Sequence, residues 1–107
     1  MTVLSSPHAQ ELFHGILAVI AREQSPQDAA KWRTNILAVI QALEDFPQSG
    51  RTVPTACFET IPEQSECLRQ TFCRPYRIVY EVVGDEVHVL SIRHSRMLVT
   101  ETDTSWN

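Results

Sequence analysis

Arginine is the residue type with the clearest chemical potential in this sequence. Of the nine cationic side chains, eight are arginine and only Lys31 is a lysine. A planar guanidinium can pair with a carboxylate or a phosphate through two parallel hydrogen bonds, which the ammonium group of lysine cannot do. The pattern therefore predicts a surface that recognises acidic groups of a partner. Five of the arginines lie within residues 67–96, where only three acidic residues accompany them: Arg69, Arg74, Arg77, Arg93 and Arg96.

The overall charge limits what that surface can bind. The formal net charge is −4 and the isoelectric point is about 5.5. A protein that holds nucleic acid mainly by electrostatic attraction carries an excess of basic residues. The sequence therefore predicts a local basic patch on an acidic protein, which suits an acidic protein partner better than a nucleic acid.

The cysteines and histidines indicate no metal site and no cofactor. Cys57, Cys67 and Cys73 are ten and six residues apart, and no Cys-x-x-Cys pair or zinc-ligand spacing occurs. We expect them to be buried or half-buried thiols. His8, His14 and His88 are expected to face solvent, and His94 is expected to be a hydrogen-bonded histidine at the end of a strand.

The length of 107 residues and the 43% hydrophobic content predict one domain with one ordinary core. No apolar run approaches the roughly 20 residues that span a bilayer, and residues 1–8 do not resemble a secretion signal. We therefore expect a cytoplasmic protein without a membrane partner. The domain is expected to cover residues 1–99, followed by a short acidic tail over residues 100–107 that continues a loose arm from Met97.

Two amphipathic helices are predicted in the first half of the chain. Ser6-Pro7 and Ser25-Pro26 each combine a helix N-cap with proline at the first helical position. Apolar residues then recur at three- and four-residue spacing, to about Glu23 in the first segment and to Phe46-Pro47 in the second. Because only a few residues separate the segments, they should form an antiparallel hairpin.

The second half of the chain changes to the pattern of strands. We expect a loop over residues 47–62 with a short extended piece at 56–58, and then three strands over residues 66–72, 76–83 and 87–92. Residues 1–4 are a possible edge strand. The predicted fold is α+β with the order β-α-α-β-β-β, a helix hairpin packed on one face of a curved antiparallel sheet. Tyr76 and Tyr80 should pack under the helices, and Arg77 should pair across the sheet with Glu66 or Glu81.

Several short segments, in order, resemble the RelE/ParE toxin superfamily, and most closely its ParE-like, plasmid stabilisation branch. The resemblance covers residues 3–99, nearly the whole chain. It implies a small bacterial toxin of a type II toxin–antitoxin system that a cognate antitoxin protein neutralises. The segments that carry it are Gly50-Arg51, Leu68-Arg69, residues 76–82 (YRIVYEV) and residues 89–96 (VLSIRHSR).

ParE-like toxins bind DNA gyrase and do no chemistry of their own, so the resemblance implies a recognition surface. The antitoxin is expected to lay an amphipathic helix in the groove between the helix hairpin and the sheet. If residues 97–99 are exposed, the isolated chain should dimerise or be poorly soluble, unless it forms a hetero-oligomer with its antitoxin. The residues expected to contact the target or the antitoxin are Arg51, Arg69, Arg77, Arg93, Arg96, Met97 and Leu98.

Two other functions stay open at this point. In a ribosome-dependent endoribonuclease of the RelE type, His94 would act as acid or base, and arginines such as Arg69, Arg77 and Arg96 would stabilise the phosphate of the cut mRNA. The single lysine argues against docking on ribosomal RNA. In the third hypothesis the chain is an inactive toxin fold that binds only the antitoxin, because Gln70 and Met97 replace a glutamate and an arginine of the superfamily pattern.

Overall fold

The computed structural model describes residues 1–106, in which two helices cover one face of a five-stranded sheet. This confirms the predicted α+β fold with a helix hairpin. The elements are β1 (Thr2–Ser5), α1 (Pro7–Glu23), α2 (Pro26–Gln41), β2 (Arg51–Thr52), β3 (Arg69–Cys73), β4 (Tyr76–Val83) and β5 (Glu86–His94).

Both helices begin where the Ser-Pro signals predicted. The hydroxyl oxygens of Ser6 and Ser25 accept hydrogen bonds from the backbone N–H of the third residue of their helices, Ala9 and Asp28, each at 3.0 Å. Ser6 is fully buried, and its hydroxyl also donates to the carbonyl of Leu90 at 3.3 Å, so the start of α1 is fixed against β5. The second helix ends at Gln41, earlier than predicted, and continues as a 3₁₀ turn over Ala42–Glu44.

The sheet has the order β1-β5-β4-β3-β2. It is a mixed sheet, whereas the prediction was an antiparallel one. Strand β1 lies parallel to β5, with Thr2 opposite Glu86 and Ser5 opposite Val89. The predicted loop contains the short edge strand β2, which pairs with β3. The extended piece expected at 56–58 is mostly a 3₁₀ turn over Thr55–Cys57. Another 3₁₀ turn covers Ser65–Cys67, so β3 begins at Arg69, later than predicted.

Apolar side chains form a core on each face of the sheet. The first core lies under the helices and is centred on residues such as Ile36, Ile78 and Tyr80. The second core lies on the opposite face, where irregular segments replace helices. We call these segments, residues 53–68 and 95–106, the irregular cover. The second core consists of Val53, Phe58, Leu68, Val79, Leu90 and Val99.

A β-bulge in β5 supplies one member of the second core. Val79 lies opposite Ser91 and Tyr80 lies opposite Val89, so Leu90 is an extra residue between them. Its side chain packs into the second core, whereas Val89 and Ile92 on either side of the bulge pack under the helices. The bulge therefore lets β5 contribute apolar side chains to both cores.

The C-terminal segment is part of the fold, which corrects the loose arm expected beyond Met97. Val99 forms a bridge with Phe58, and its N–H donates to the carbonyl of Cys57 at 2.8 Å. A 3₁₀ turn follows over Thr102–Thr104, in which Asp103 is fully buried. The last residue of the predicted acidic tail, Asn107, lies outside the described residues. None of the helices within residues 1–106 has the length and apolar character that crossing a bilayer requires.

Candidate functional site

The strand register divides the predicted site residues between the two faces of the sheet. Tyr76 lies opposite His94, and Tyr76 packs against the first core, so His94 projects on the helix side. Arg69 lies opposite Tyr80 and projects on the same side. Arg77 and Arg93 lie opposite one another and project on the other face. The structure therefore separates the pair Arg69 and His94 from the pair Arg77 and Arg93.

Gly50 and Arg69 form a buried junction with Tyr80. The N–H of Gly50 donates to the Tyr80 hydroxyl oxygen at 2.9 Å, and that hydroxyl donates to the carbonyl of Pro47 at 2.8 Å. Arg69 donates from Nη1 to the carbonyl of Gly50 at 2.7 Å. A Cβ atom at position 50 would lie 2.5 Å from the Tyr80 hydroxyl and 2.6 Å from the backbone oxygen of Gln70, so only glycine fits. This junction sets the position of Arg51, the next residue.

Arg77 is a buried guanidinium that binds backbone carbonyls. It is only 8% exposed, and it donates to the carbonyl oxygens of Met97 at 3.1 Å and Ser95 at 3.3 Å. Its Nη2 also lies 3.6 Å from the Cys57 sulfur, and its Nε has no hydrogen-bond partner among residues 1–106. The predicted ion pair with Glu66 or Glu81 is wrong for the described residues. In this structure Arg77 joins both segments of the irregular cover to β4.

Arg93 is engaged in an ion pair with the buried carboxylate of Asp103. Its Nε lies 3.0 Å and 2.9 Å from the two carboxylate oxygens, and His8 at the start of α1 lies 2.8 Å from one of them. Burial alone would raise the pKa of Asp103, but the N–H of Thr100, His8 and Arg93 together outweigh it and hold the pKa below its ordinary value. The expectation that His8 faces solvent is therefore wrong.

His88 also differs from the expectation of a solvent-facing side chain. Its Nε2 lies 3.0 Å from a carboxylate oxygen of Glu86, and its ring lies 4.4 Å from the ring of Trp106. His94 agrees better with the prediction, since its Nδ1 accepts a hydrogen bond from the N–H of Arg96 at 3.1 Å. The side chain of Arg96 is exposed, as are Met97 and Leu98, which are about half exposed.

A cavity of about 490 Å³ lies at the β2–β3 edge of the sheet. Two arginines line it: Arg51, which is exposed, and Arg74, whose guanidinium carbon lies 4.4 Å above the ring of Phe72. Gln70 also lines it and is 9% exposed, and its side-chain oxygen has no hydrogen-bond partner in the described part of the chain. Arg74 was not among the predicted contact residues, although its place among the five arginines of residues 67–96 was a signal for such a role.

A second, apolar groove of about 480 Å³ lies between α1 and the ends of β4 and β5. Tyr76 forms part of its floor, with its ring edge-on to Trp32 at 5.4 Å and to His94 at 6.2 Å. Burial raises the pKa of Tyr76, as does the nearby thiol of Cys73. The groove is lined by Glu11, Leu12, Gly15, Ile16, Val19, Tyr76 and His94.

The arrangement suits binding more than it suits catalysis. The groups that would act together on a phosphate lie on different faces, and Arg69 and Arg77 already donate to backbone carbonyls. Within the described part of the chain, no three His, Cys, Asp or Glu side chains are grouped so that they could hold a metal ion. Predicted site residues line two of the concave surfaces: His94 lines the apolar groove, and Arg51 lines the arginine-lined cavity.

Comparison with known proteins gives a family match over most of the chain. Residues 3–99 match the family model described as the ParE toxin of the type II toxin–antitoxin system, parDE. No curated protein matches the sequence. Among solved structures, the chain is similar to one described as the chromosomal ParDE toxin–antitoxin system from P. aeruginosa. The identity is 21% over 88% of this chain and 95% of that chain, with a TM-score of 0.68, which shows a shared fold.

Proposed function

Because this chain belongs to the ParE toxin family of type II toxin–antitoxin systems, we propose that it inhibits DNA gyrase by binding to it. On this proposal the chain catalyses no reaction, and a cognate antitoxin neutralises it by covering its surface. Gyrase as the target rests on the family, and binding as the mode of action rests on the placement of the arginines.

The observation that carries this proposal is the division of the candidate catalytic groups between two faces. Cutting RNA requires an acid or base and several cations around a single phosphate. Here His94 and Arg69 project on the helix side, whereas Arg77 projects on the other side and is only 8% exposed. This separation favours the binding mechanism over the endoribonuclease alternative.

The apolar groove supports an antitoxin helix as the neutralising partner. Leu12, Ile16 and Val19 follow one face of α1 at spacings of four and three residues, and Tyr76 faces them across the groove. A partner helix with apolar residues at positions i, i+3, i+4 and i+7 would bury this surface. Val19 is 41% exposed in the isolated chain, which leaves apolar area for such a helix to cover.

Induced expression of the chain in a bacterium, followed by assays with purified gyrase, tests the mode of action. We expect growth arrest with an SOS response while protein synthesis continues, and inhibition of supercoiling in vitro by the purified chain. Immediate loss of protein synthesis with cleaved mRNA would overturn the proposal in favour of the endoribonuclease. Absence of any toxicity would overturn it in favour of an inactive, antitoxin-binding fold.

Two matched valine variants test the groove. Val19→Lys places a charge in the groove, and Val83→Lys changes an equally exposed valine at the β4–β5 hairpin, outside the groove. With the antitoxin encoded beside the toxin gene, we expect Val19→Lys to weaken binding about tenfold or more and Val83→Lys to leave it unchanged. Equal affinities for the two variants would contradict this site.

A further inference from the structure

The cavity at the β2–β3 edge, here called the edge pocket, has the composition of a site for an anion. Its volume is about 490 Å³, and it opens at the side of β3 that β2 leaves uncovered beyond Gln70. Guanidinium, amide and hydroxyl groups dominate its polar lining. The residues that line it are Ser49, Gly50, Arg51, Gln70, Thr71, Phe72 and Arg74.

The two arginines of the edge pocket have no acidic partner. Within residues 1–106 the arginine–carboxylate pairs are Arg22 with Glu23 and Arg93 with Asp103. Arg51 has neither an ion pair nor a side-chain hydrogen bond among these residues. Arg74 is oriented by the ring of Phe72 at 4.4 Å. Both side chains are exposed and solvated in the isolated chain, so their guanidiniums are available to pair with an acidic group that enters the cavity.

Gln70 provides the second, independent indication of a ligand. It lies directly opposite Arg51 in the sheet and is 9% exposed, yet none of the described residues forms a hydrogen bond with its side-chain oxygen. A buried polar group without a partner costs about 1–3 kcal/mol, so such groups are usually satisfied by something that binds there. The unpartnered oxygen is an acceptor and cannot itself bind a carboxylate. A half-turn of the amide brings its N–H groups to the same position, where they can donate to a carboxylate that a glutamate would repel.

We propose that the edge pocket binds a carboxylate side chain of the antitoxin, held by Arg51 and Arg74 and by the Gln70 amide. The inference rests on the proposed function because it assumes that an antitoxin binds this chain. The antitoxin is the favoured source because the edge pocket and the apolar groove lie on either side of the same turn. Phe72 lies in β3 before this turn, Arg74 is its first residue and Tyr76 follows it, so a segment leaving the groove needs to cross only the β3–β4 connection.

Binding of a bare carboxylate tests the chemistry of the pocket without any partner protein. In the purified chain, glutarate is titrated at constant ionic strength while the side-chain Nε–H signals of the arginines are followed by NMR. We expect glutarate to shift the signals of Arg51 and Arg74 and to leave that of Arg22, an exposed arginine of α1, nearly unchanged. In Gln70→Glu, the internal carboxylate should abolish the response. Equal shifts at all exposed arginines, or a full response in Gln70→Glu, would overturn the site.

Affinity for the antitoxin tests the identity of the occupant. We expect Arg51→Gln and Arg74→Gln each to weaken the complex about fivefold to tenfold, and Gln70→Glu to weaken it at least as much. Arg22→Gln, the matched control, should not change it. Unchanged affinity in the double variant Arg51→Gln/Arg74→Gln would overturn the assignment to the antitoxin. If gyrase inhibition is lost in that variant while antitoxin affinity is kept, the carboxylate belongs to the target instead.

The gyrase proposal and the pocket proposal fail separately. A chain that does not inhibit gyrase but binds glutarate at Arg51 and Arg74 contradicts the first and leaves the second intact. A chain that inhibits gyrase but shows no selective response to glutarate contradicts only the second. Since Arg51 and Arg74 are exposed, their replacement by glutamine should not disturb folding.

Discussion

The two faces of the sheet are stabilised in different ways. On the helix face, two regular helices pack apolar side chains such as Ile36 and Ile40 against Ile78 and Tyr80. On the other face, the irregular cover is held by a smaller apolar cluster and by polar groups at its margins. The charged groups that the fold buries, Arg77 and Asp103, both fix the irregular cover.

On the helix face, many apolar contacts share the stabilisation, whereas on the other face a few hydrogen bonds carry much of it. Each apolar contact on the helix face contributes a part of a continuous core, so any loss there should affect the whole fold. The irregular cover depends on a few hydrogen bonds that join distant parts of the chain. Loss of one of them should open that cover locally and leave the helices in place.

The largest expected effect comes from truncating a side chain of the first core. Ile36 is fully buried, and Ile36→Ala should lower the free energy of unfolding by about 3 kcal/mol because it removes apolar contacts and leaves a cavity. Urea denaturation followed by circular dichroism measures this loss. Asn35→Ala, at the exposed neighbouring position, should change stability by less than about 0.5 kcal/mol. A smaller loss for Ile36→Ala than for Asn35→Ala would contradict a shared core on this face.

A smaller and more local effect is expected at Asp103. Asp103→Asn keeps the shape but weakens the bonds to Arg93 and His8, and it should cost about 2 kcal/mol. Hydrogen exchange should accelerate at Val99 and in the 3₁₀ turn that follows, with little change in α2. The matched control is Glu101→Gln, which neutralises an exposed acid two residues away. Uniform acceleration across both helices would show that the two faces do not differ.

The contribution of Asp103 should also depend on pH. The folded protein holds its pKa below the ordinary value of 3.8, so the unfolded chain takes up the proton first as the pH falls. The stabilisation is therefore fully present above about pH 5 and is lost as the pH falls below 4 toward the lowered folded pKa. The difference in unfolding free energy between the wild type and Asp103→Asn isolates this effect from the other carboxylates. A difference that is constant down to pH 2 would contradict it.

The sequence predicted the helix face better than the other face, because the contacts that form the helix face follow from patterns within a few residues of the chain. Ser6 and Ser25 cap their helices through contacts three residues away, and the burial of Tyr80 follows from strand alternation. His8 and Asp103 are 95 residues apart, and nothing local in the sequence pairs them. The parallel pairing of β1 with β5 also joins residues that are far apart in the chain.

The candidate site was predicted in part for a related reason. The basic stretch indicated arginines with an acidic partner, but Arg77 uses backbone carbonyls, which have no signature in the sequence. Arg93 pairs with Asp103, which lies in the segment that was expected to be a loose tail. The pairing of Arg51 with Gln70, which forms the edge pocket, depends on a two-residue strand too short to predict.

The smallest expected effect is on thiol reactivity, which reports on the two faces through different cysteines. Cys73 packs against the first core, and burial raises the pKa of its thiol, whereas Cys57 packs against the second core and Cys67 is exposed. In the wild type, iodoacetamide should therefore modify Cys67 fastest and Cys73 slowest, as measured by peptide mass spectrometry. In Asp103→Asn, the rate at Cys57 should rise, because the Val99 N–H that binds the carbonyl of Cys57 belongs to the segment that Asp103 anchors. The rate at Cys73 should stay the same. An equal rise at both would mean that the irregular cover and the helices open together, and it would remove the distinction between the two faces.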